Sequence, residues 1–315
     1  MNNIKKLGLT ALAGSLVASS AYAGALDVSG SAMRTYFAND DDEVTGNSFK
    51  MAKGITFSGS GELDNGFSVG YSYTMTNAAF SSQTVTLDMG DTGTVGISNS
   101  GAVAGMMAYA SVVPNSGEQA WDDMNQNDNG ITTFNNLSET NSVFYKNSFG
   151  DVGVNLAYTD DTGGSDQHGV ITYNGYDGLS IGVGGGEDGE TKDMTTAFVT
   201  YSAGNVTVGV QRTEFDFAAQ ATADETSTQI AIGMAVNENM SVSVGRTEVD
   251  MGDGNSDEQS TGVSASYTMG GMSFTAIANT QDNTNGSATA DDLSLIHISE
   301  PTRRYAISYA VFCLK

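Results

Sequence analysis

Glu62-Leu-Asp-Asn-Gly66, running into Phe67-Ser-Val-Gly-Tyr-Ser-Tyr-Thr74, is the stretch that decides the fold. Asn-Gly beside an alternating apolar run is the strongest short hairpin signal in a sequence. Phe67, Val69, Tyr71 and Tyr73 then share one face, and Ser68, Gly70, Ser72 and Thr74 share the other. That is the two-residue period of a β-strand. In a sandwich the apolar face would be a core. In a membrane barrel it faces lipid, and the polar face lines water. Period alone does not separate the two, but the surroundings do. The polar parity is built of small residues, and strands recur without helices between them.

The same unit repeats outward in both directions. Strand one is expected near Leu26–Phe37 and strand two near Phe49–Gly61. Beyond Asp64-Asn-Gly66, short turns are expected at Gly90-Asp-Thr-Gly93, Phe149-Gly-Asp-Val152, Gly175-Tyr-Asp-Gly178, Ala203-Gly-Asn205, Asn237-Glu-Asn239 and Gly270-Gly271. Longer acidic connections are expected between them, at Asn39–Gly46, Thr159–Asp166, Gly185–Asp193, Asp216–Glu225 and Asp250–Glu258. Short turns on one rim and long loops on the other mark an outer-membrane barrel. No helix-length apolar run follows the N-terminal segment, so only a closed barrel could span a bilayer. The fold class is therefore all-β, a transmembrane antiparallel β-barrel. About fifteen strands can be counted, and bacterial single-chain barrels have even numbers. Sixteen strands are expected for the parent fold.

Both ends fall outside that pattern. Residues 1–23 read as a signal peptide: Lys5 and Lys6, an apolar stretch from Leu7 to Val17, then Ala21-Tyr22-Ala23 as the cleavage site. Residues 24–292 would be the barrel. Leu293-Ser-Leu-Ile-His-Ile-Ser-Glu-Pro-Thr-Arg303 resembles the translation of a transposase-type sequencing adapter. Ile307-Ser-Tyr-Ala-Val-Phe-Cys-Leu314 matches the adapter's remainder. Residues 293–315 are therefore expected to be adapter-derived, with the closing strand lost.

Between those ends 7 basic residues stand against 36 acidic ones, a formal charge of −29, and no Cys remains. Thiolate metal sites and disulfides are excluded. Nucleic acid is not expected as a partner. No cofactor is expected, apart from Ca2+ at the acidic outer loops. The weak candidate ligands for it are Asp250, Asp253, Asn255 and Asp257, loosely spaced like a calcium loop.

Three further features bear on placement. Asn205–Asp216 echoes Asn239–Asp250, and puts Arg212 and Arg246 at one height near the outer rim. Their parity is the apolar one, so each either snorkels to headgroups or is turned inward by a bulge. Tyr71, Tyr73, Tyr145, Tyr158, Tyr173, Tyr201 and Tyr267 fit an interfacial girdle. His168, the one histidine in residues 24–292, has no nucleophile motif beside it, so no enzyme is expected.

One connection breaks the rhythm. About forty residues separate strand five (Thr94–Ser98) from strand six (Val143–Ser148). Their first half, Gly101-Ala-Val-Ala-Gly-Met-Met-Ala-Tyr109, is too apolar for a solvated loop. A segment folded into the lumen would explain it.

The signal peptide, the Gly59-Ser-Gly-Glu-Leu-Asp-Asn-Gly66 hairpin, Asn141-Ser-Val-Phe-Tyr-Lys146 leading to Ser148-Phe-Gly150, and the long third outer loop together resemble Gram-negative general porins of the alphaproteobacterial type. The resemblance covers residues 24–292. It implies sixteen-stranded homotrimers in the cell outer membrane of a Gram-negative bacterium, inserted by the barrel-assembly machinery among lipid and lipopolysaccharide. It also implies that the third loop forms a constriction for small hydrophilic solutes. The Pro-Glu-Phe-Gly-Gly motif of enteric porins is absent. The constriction's carboxylates would be Glu118, Asp122, Asp123 and Asp128. Lys50 and Lys146, with Arg34 and Lys53, would be the cations of the facing wall. The excess of acids favours cation selectivity. The alternatives are a substrate-specific outer-membrane channel and a secreted acidic β-rich adhesin or passenger.

Overall fold

The computed structural model describes residues 26–36, 38–39, 49–100, 103–117, 119–120, 137, 140–161, 164–189, 192–217, 224–252, 254, 256–270, 272–287 and 292–295. The strands are β1 (Asp27–Tyr36), β2 (Ala38–Asn39), β3 (Phe49–Glu62), β4 (Ser68–Thr76), β5 (Ala79–Asp88), β6 (Thr94–Asn99), β7 (Ser142–Phe149), β8 (Val152–Asp161) and β9 (Gly164–Tyr176). They continue as β10 (Leu179–Asp188), β11 (Lys192–Ala203), β12 (Val206–Phe217), β13 (Glu225–Asn237), β14 (Met240–Asp250), β15 (Glu258–Met269), β16 (Met272–Asp282) and β17 (Asp292–Leu295). Among the described residues no helix is long and apolar enough to cross a membrane.

Each strand from β3 to β16 pairs antiparallel with the next. β1 and β2 together edge the sheet, β1 pairing with β3. β17 pairs with β16 at Gln281↔Asp292 to Ala278↔Leu295, and with β2 at Ser294↔Asn39 and Leu295↔Ala38. The ladder thus comes back to its start through these two residue pairs. Counting β1 and β2 as one span gives fifteen strands through β16, and β17 is the sixteenth. It is only 4 residues long, and three of those residues belong to the adapter-like segment.

The Asp64-Asn-Gly66 turn forms as expected. Gly66 N donates to Leu63 O at 2.9 Å and Leu63 N to Phe67 O at 2.7 Å. Gly66 takes φ 82°, a backbone state that suits glycine. Two expected outer loops are much shorter than their acidity suggested. β8 and β9 leave only residues 162–163 between them, and β10 and β11 only 189–191. Asp160, Asp166, Glu187 and Asp188 therefore sit on strand ends, because cross-strand pairing continues beyond the apolar stretch.

Alternation divides the residues into two faces. Val208, Val210, Ile230, Ile232, Val244, Val263, Ile171 and Tyr173 are exposed on one. Gln211, Thr213, Gln229, Thr247, Ser260 and Asn279 are buried on the other. An apolar exterior around a polar interior reverses a soluble protein and suits a lipid surround. Tyr173, Tyr201 and Tyr267 lie outward, within a few residues of the short turns.

Candidate functional site: the loop strapped inside the barrel

The described part of the connection from β6 to β7 enters the lumen and follows the inner wall. Its first turn is a 3-10 helix, Gly105–Tyr109. Gly105 N donates to Asn155 Oδ1 on β8 at 2.9 Å, and Met106 N to His168 Nδ1 on β9 at 2.9 Å. Val112 N donates to Gln211 Oε1 on β12 at 3.0 Å, and Gln211 Nε2 donates back to Tyr109 O at 2.8 Å. Ser111 Oγ donates to Gln229 Oε1 on β13 at 3.2 Å. Ser116 N is shared by Ser243 Oγ on β14 at 2.8 Å and Ser264 Oγ on β15 at 3.1 Å. Asn279 Nδ2 on β16 donates to Gln119 O at 3.1 Å. The described part of the loop is thereby bonded to β8, β9 and every strand from β12 to β16.

Packing joins these bonds. Met106 is fully buried with Leu137 against Val170, Met194, Phe198 and Phe215, which all point inward. Tyr109 stacks on Phe198, centroids 5.6 Å apart and planes at 19°. Further along, inward glycines make room for the loop. A Cβ at Gly209 would lie 2.8 Å from Pro114 Cδ, and one at Gly262 would lie 2.7 Å from Ala120 Cα. The wall is hollowed where the loop needs space and carries amides where its backbone needs partners. Buried backbone groups must be paired, so this matching fixes the loop's path.

Lys146 follows the parity of Phe144, the inward one. Its ammonium is 5.8 Å from the Phe144 ring, and it pairs in register with Asn155, which holds Gly105. Lys50 pairs with Thr35, whose side chain is buried inside. Arg34 and Lys53 correct the expectation. Register sets them beside Met51 and Ala32, on the outward parity of Met51 and Ile55. Arg34 lies over the Phe49 ring at 4.8 Å. A cation on that face cannot line the pore. Arg212 and Arg246 also face outward, and no bulge interrupts the ladder beside either. Arg212 pairs with Glu214 at 3.0 Å, and Arg246 with Glu248 at 3.3 Å and Gln259 at 2.6 Å.

Glu118, Asp122, Asp123 and Asp128 lie outside the described residues, as do Asp253 and Asn255. Asp250 and Asp257 belong to the described residues. Asp250 Oδ1 accepts from Gly252 N at 3.0 Å, and the Asp257 carbonyl accepts from Asn283 Nδ2 at 2.8 Å. Among the described residues no three acids, histidines or cysteines gather to hold a metal ion. Sequence reading missed the wall residues that hold the loop. The available signal was Asn155, His168, Gln211, Gln229 and Asn279, large polar side chains on a parity otherwise rich in Ser, Thr and Gly.

Known structures share this architecture. An engineered variant of the Rh. blastica porin is 15% identical, with a TM-score of 0.63 over 90% of this chain and 100% of that one. A second variant gives 15% and 0.64 over the same shares. A porin refined at 1.8 Å resolution gives 18% and 0.67 over 87% and 99%. No curated protein matches. The family model of Gram-negative porins matches residues 8–287. With its inward-folded loop and lipid-suited exterior, the chain belongs to the Gram-negative porin family, the diffusion channels of the outer membrane.

Proposed function

We propose that this porin is a cation-selective general diffusion channel whose constriction lies between the strapped loop and the opposite wall. The observation that supports this is the allocation of charge. Of the basic side chains described in the barrel, Arg34, Lys53, Arg212 and Arg246 face lipid, and Lys146 faces the lumen. Asp166 and Glu258 are carboxylates on the inward parity. Glu118, Asp122, Asp123 and Asp128 would add to that negative lining from the loop, opposed by Lys146 and Lys50. Charge near a narrow, partly desolvated path acts more strongly than charge in bulk water. The reversal potential across a planar bilayer under a KCl gradient tests the reading. Preference for chloride would overturn it.

The channel carries out no catalysis in this reading. His168, the one histidine available as a base, already uses Nδ1 to hold the loop. The assembly is a homotrimer inserted by the barrel-assembly machinery, with lipopolysaccharide near outward Arg212 and Arg246. Calcium at the acidic outer loops would join neighbouring carboxylates. Residues 1–23 act as the export signal and residues 293–315 are adapter-derived. Resequencing the 3′ end of the gene decides the latter.

A further inference from the structure

We infer that His168 is the positioning residue that latches the constriction loop to the wall, and that it does so only as a neutral imidazole, so that protons unlatch the loop. The inference rests on reading the loop as the element that narrows the pore. Its basis is hydrogen-bond polarity. Met106 N–H donates to His168 Nδ1 at 2.9 Å. A ring nitrogen that accepts carries no proton, so the ring's hydrogen is on Nε2. That Nε2 is itself buried without a partner. No tautomer other than this one keeps the latch. On protonation Nδ1 becomes a donor facing the Met106 donor, and the bond is lost.

The surroundings leave the ring little freedom while latched. Opposite it on β10 stands Gly186, where a Cβ would collide with His168 Cβ, and on β8 stands Ala157. A side chain on Gly105 would strike Nδ1, so the loop meets the ring where it carries a glycine. Gly105 also has φ 53°, which favours glycine. Among the described residues, the charged and titratable groups on the inward faces beside the site are Asp166 on β9, Asp188 on β10 and Lys146 on β7, with Tyr109 on the loop. The inward residues of β8 there are Asn155, Ala157 and Thr159. A detached imidazolium would have the two carboxylates as partners. The neighbouring anchor, Gly105 N to Asn155 Oδ1, does not titrate. Release is therefore a hinge movement at the loop's first turn and leaves the strap further along in place.

The test uses the full chain refolded in bilayers, with C313S to remove the tail thiol and a spin label on A108C, an exposed position of the same turn. Label mobility and single-channel conductance are followed from about pH 7 to about pH 3, through and well below the ordinary imidazole range near 6.5. The expected result is a reversible gain in label mobility and a parallel shift in conductance. Both should be lost in H168Q, whose amide oxygen accepts from Met106 N–H at every pH. H168N, one methylene shorter, serves if H168Q does not insert. Equal pH dependence in the parent and H168Q channels would assign the effect to carboxylates and overturn the latch. So would a label that stays immobile throughout. Mobility that responds while conductance does not would sustain the latch but remove the loop as the narrowing element.

Discussion

Two rows of residues cross the inner wall in register, and they differ in what they face. One is Ser58, Ser72, Thr84, Ser98 and Ser142 on β3 to β7. The other is Gln211, Gln229, Thr247, Ser260 and Gln281 on β12 to β16. Every member of the second row is at most 2% exposed, whereas Ser58, Ser72 and Thr84 remain partly open. The first row is all short hydroxyls. The second carries three amides and is bordered by Gly209, Gly245 and Gly262. The alternation is the same in both. The difference teaches that the loop's position is written in the wall it lies on: long amides reach its backbone, and missing side chains admit its bulk.

Overfilling the glycine track should break that contrast most sharply. Gly262→Val would press on Ala120 and cost about 1–3 kcal/mol, the usual range for overpacking. The loop should be driven into the passage and conductance should fall. Ser72→Val on the open wall should leave conductance nearly unchanged. Equal effects from the two would mean that the loop does not depend on the track.

Gln211→Leu comes next. It removes both the acceptor for Val112 and the donor to Tyr109. At about 1 kcal/mol for each net hydrogen bond, the strap should weaken by about 2 kcal/mol. Open-channel current noise should rise, and Thr84→Val should not reproduce it.

Charge changes sharpen the comparison between inside and outside. Lys146→Glu should move the reversal potential further toward cations. Arg212→Gln, on the lipid side, should leave it where it is. A selectivity change in Arg212→Gln would show that this guanidinium communicates with the lumen. The smallest effect expected is on stability in Arg246→Gln. Exposed ion pairs contribute about 0–1 kcal/mol, so the heat-modified gel shift should move by a few degrees at most.

Much of the barrel was legible from local signals. Asn65-Gly66 marked its hairpin because few residues accept the required backbone angles. Val69, Tyr71 and Tyr73 marked the outward face because a strand has only two sides. The apolar first half of the long connection pointed to a lumenal loop because Met106 and Tyr109 would be poorly placed in bulk solvent. Arg34 and Lys53 were misjudged as wall cations. Charge suggested the lumen, but parity placed them outward, and a snorkelling side chain can satisfy both demands. The acidic stretches at 159–166 and 185–193 were read as loops, since composition reports solvent contact and not whether a strand ladder continues through it.

The sequence by itself determined the strand period, the turns, the sidedness of each strand and the acidic excess. These depend on neighbours one to four residues apart. Only the tertiary structure decided which wall holds the loop. His168 lies 62 residues from Met106, and Asn279 lies 160 from Gln119. No local pattern ties such pairs together. They become partners when the ladder curls round and brings the inward faces of β8 to β16 beneath one connecting segment, whose buried backbone must then find its hydrogen bonds there.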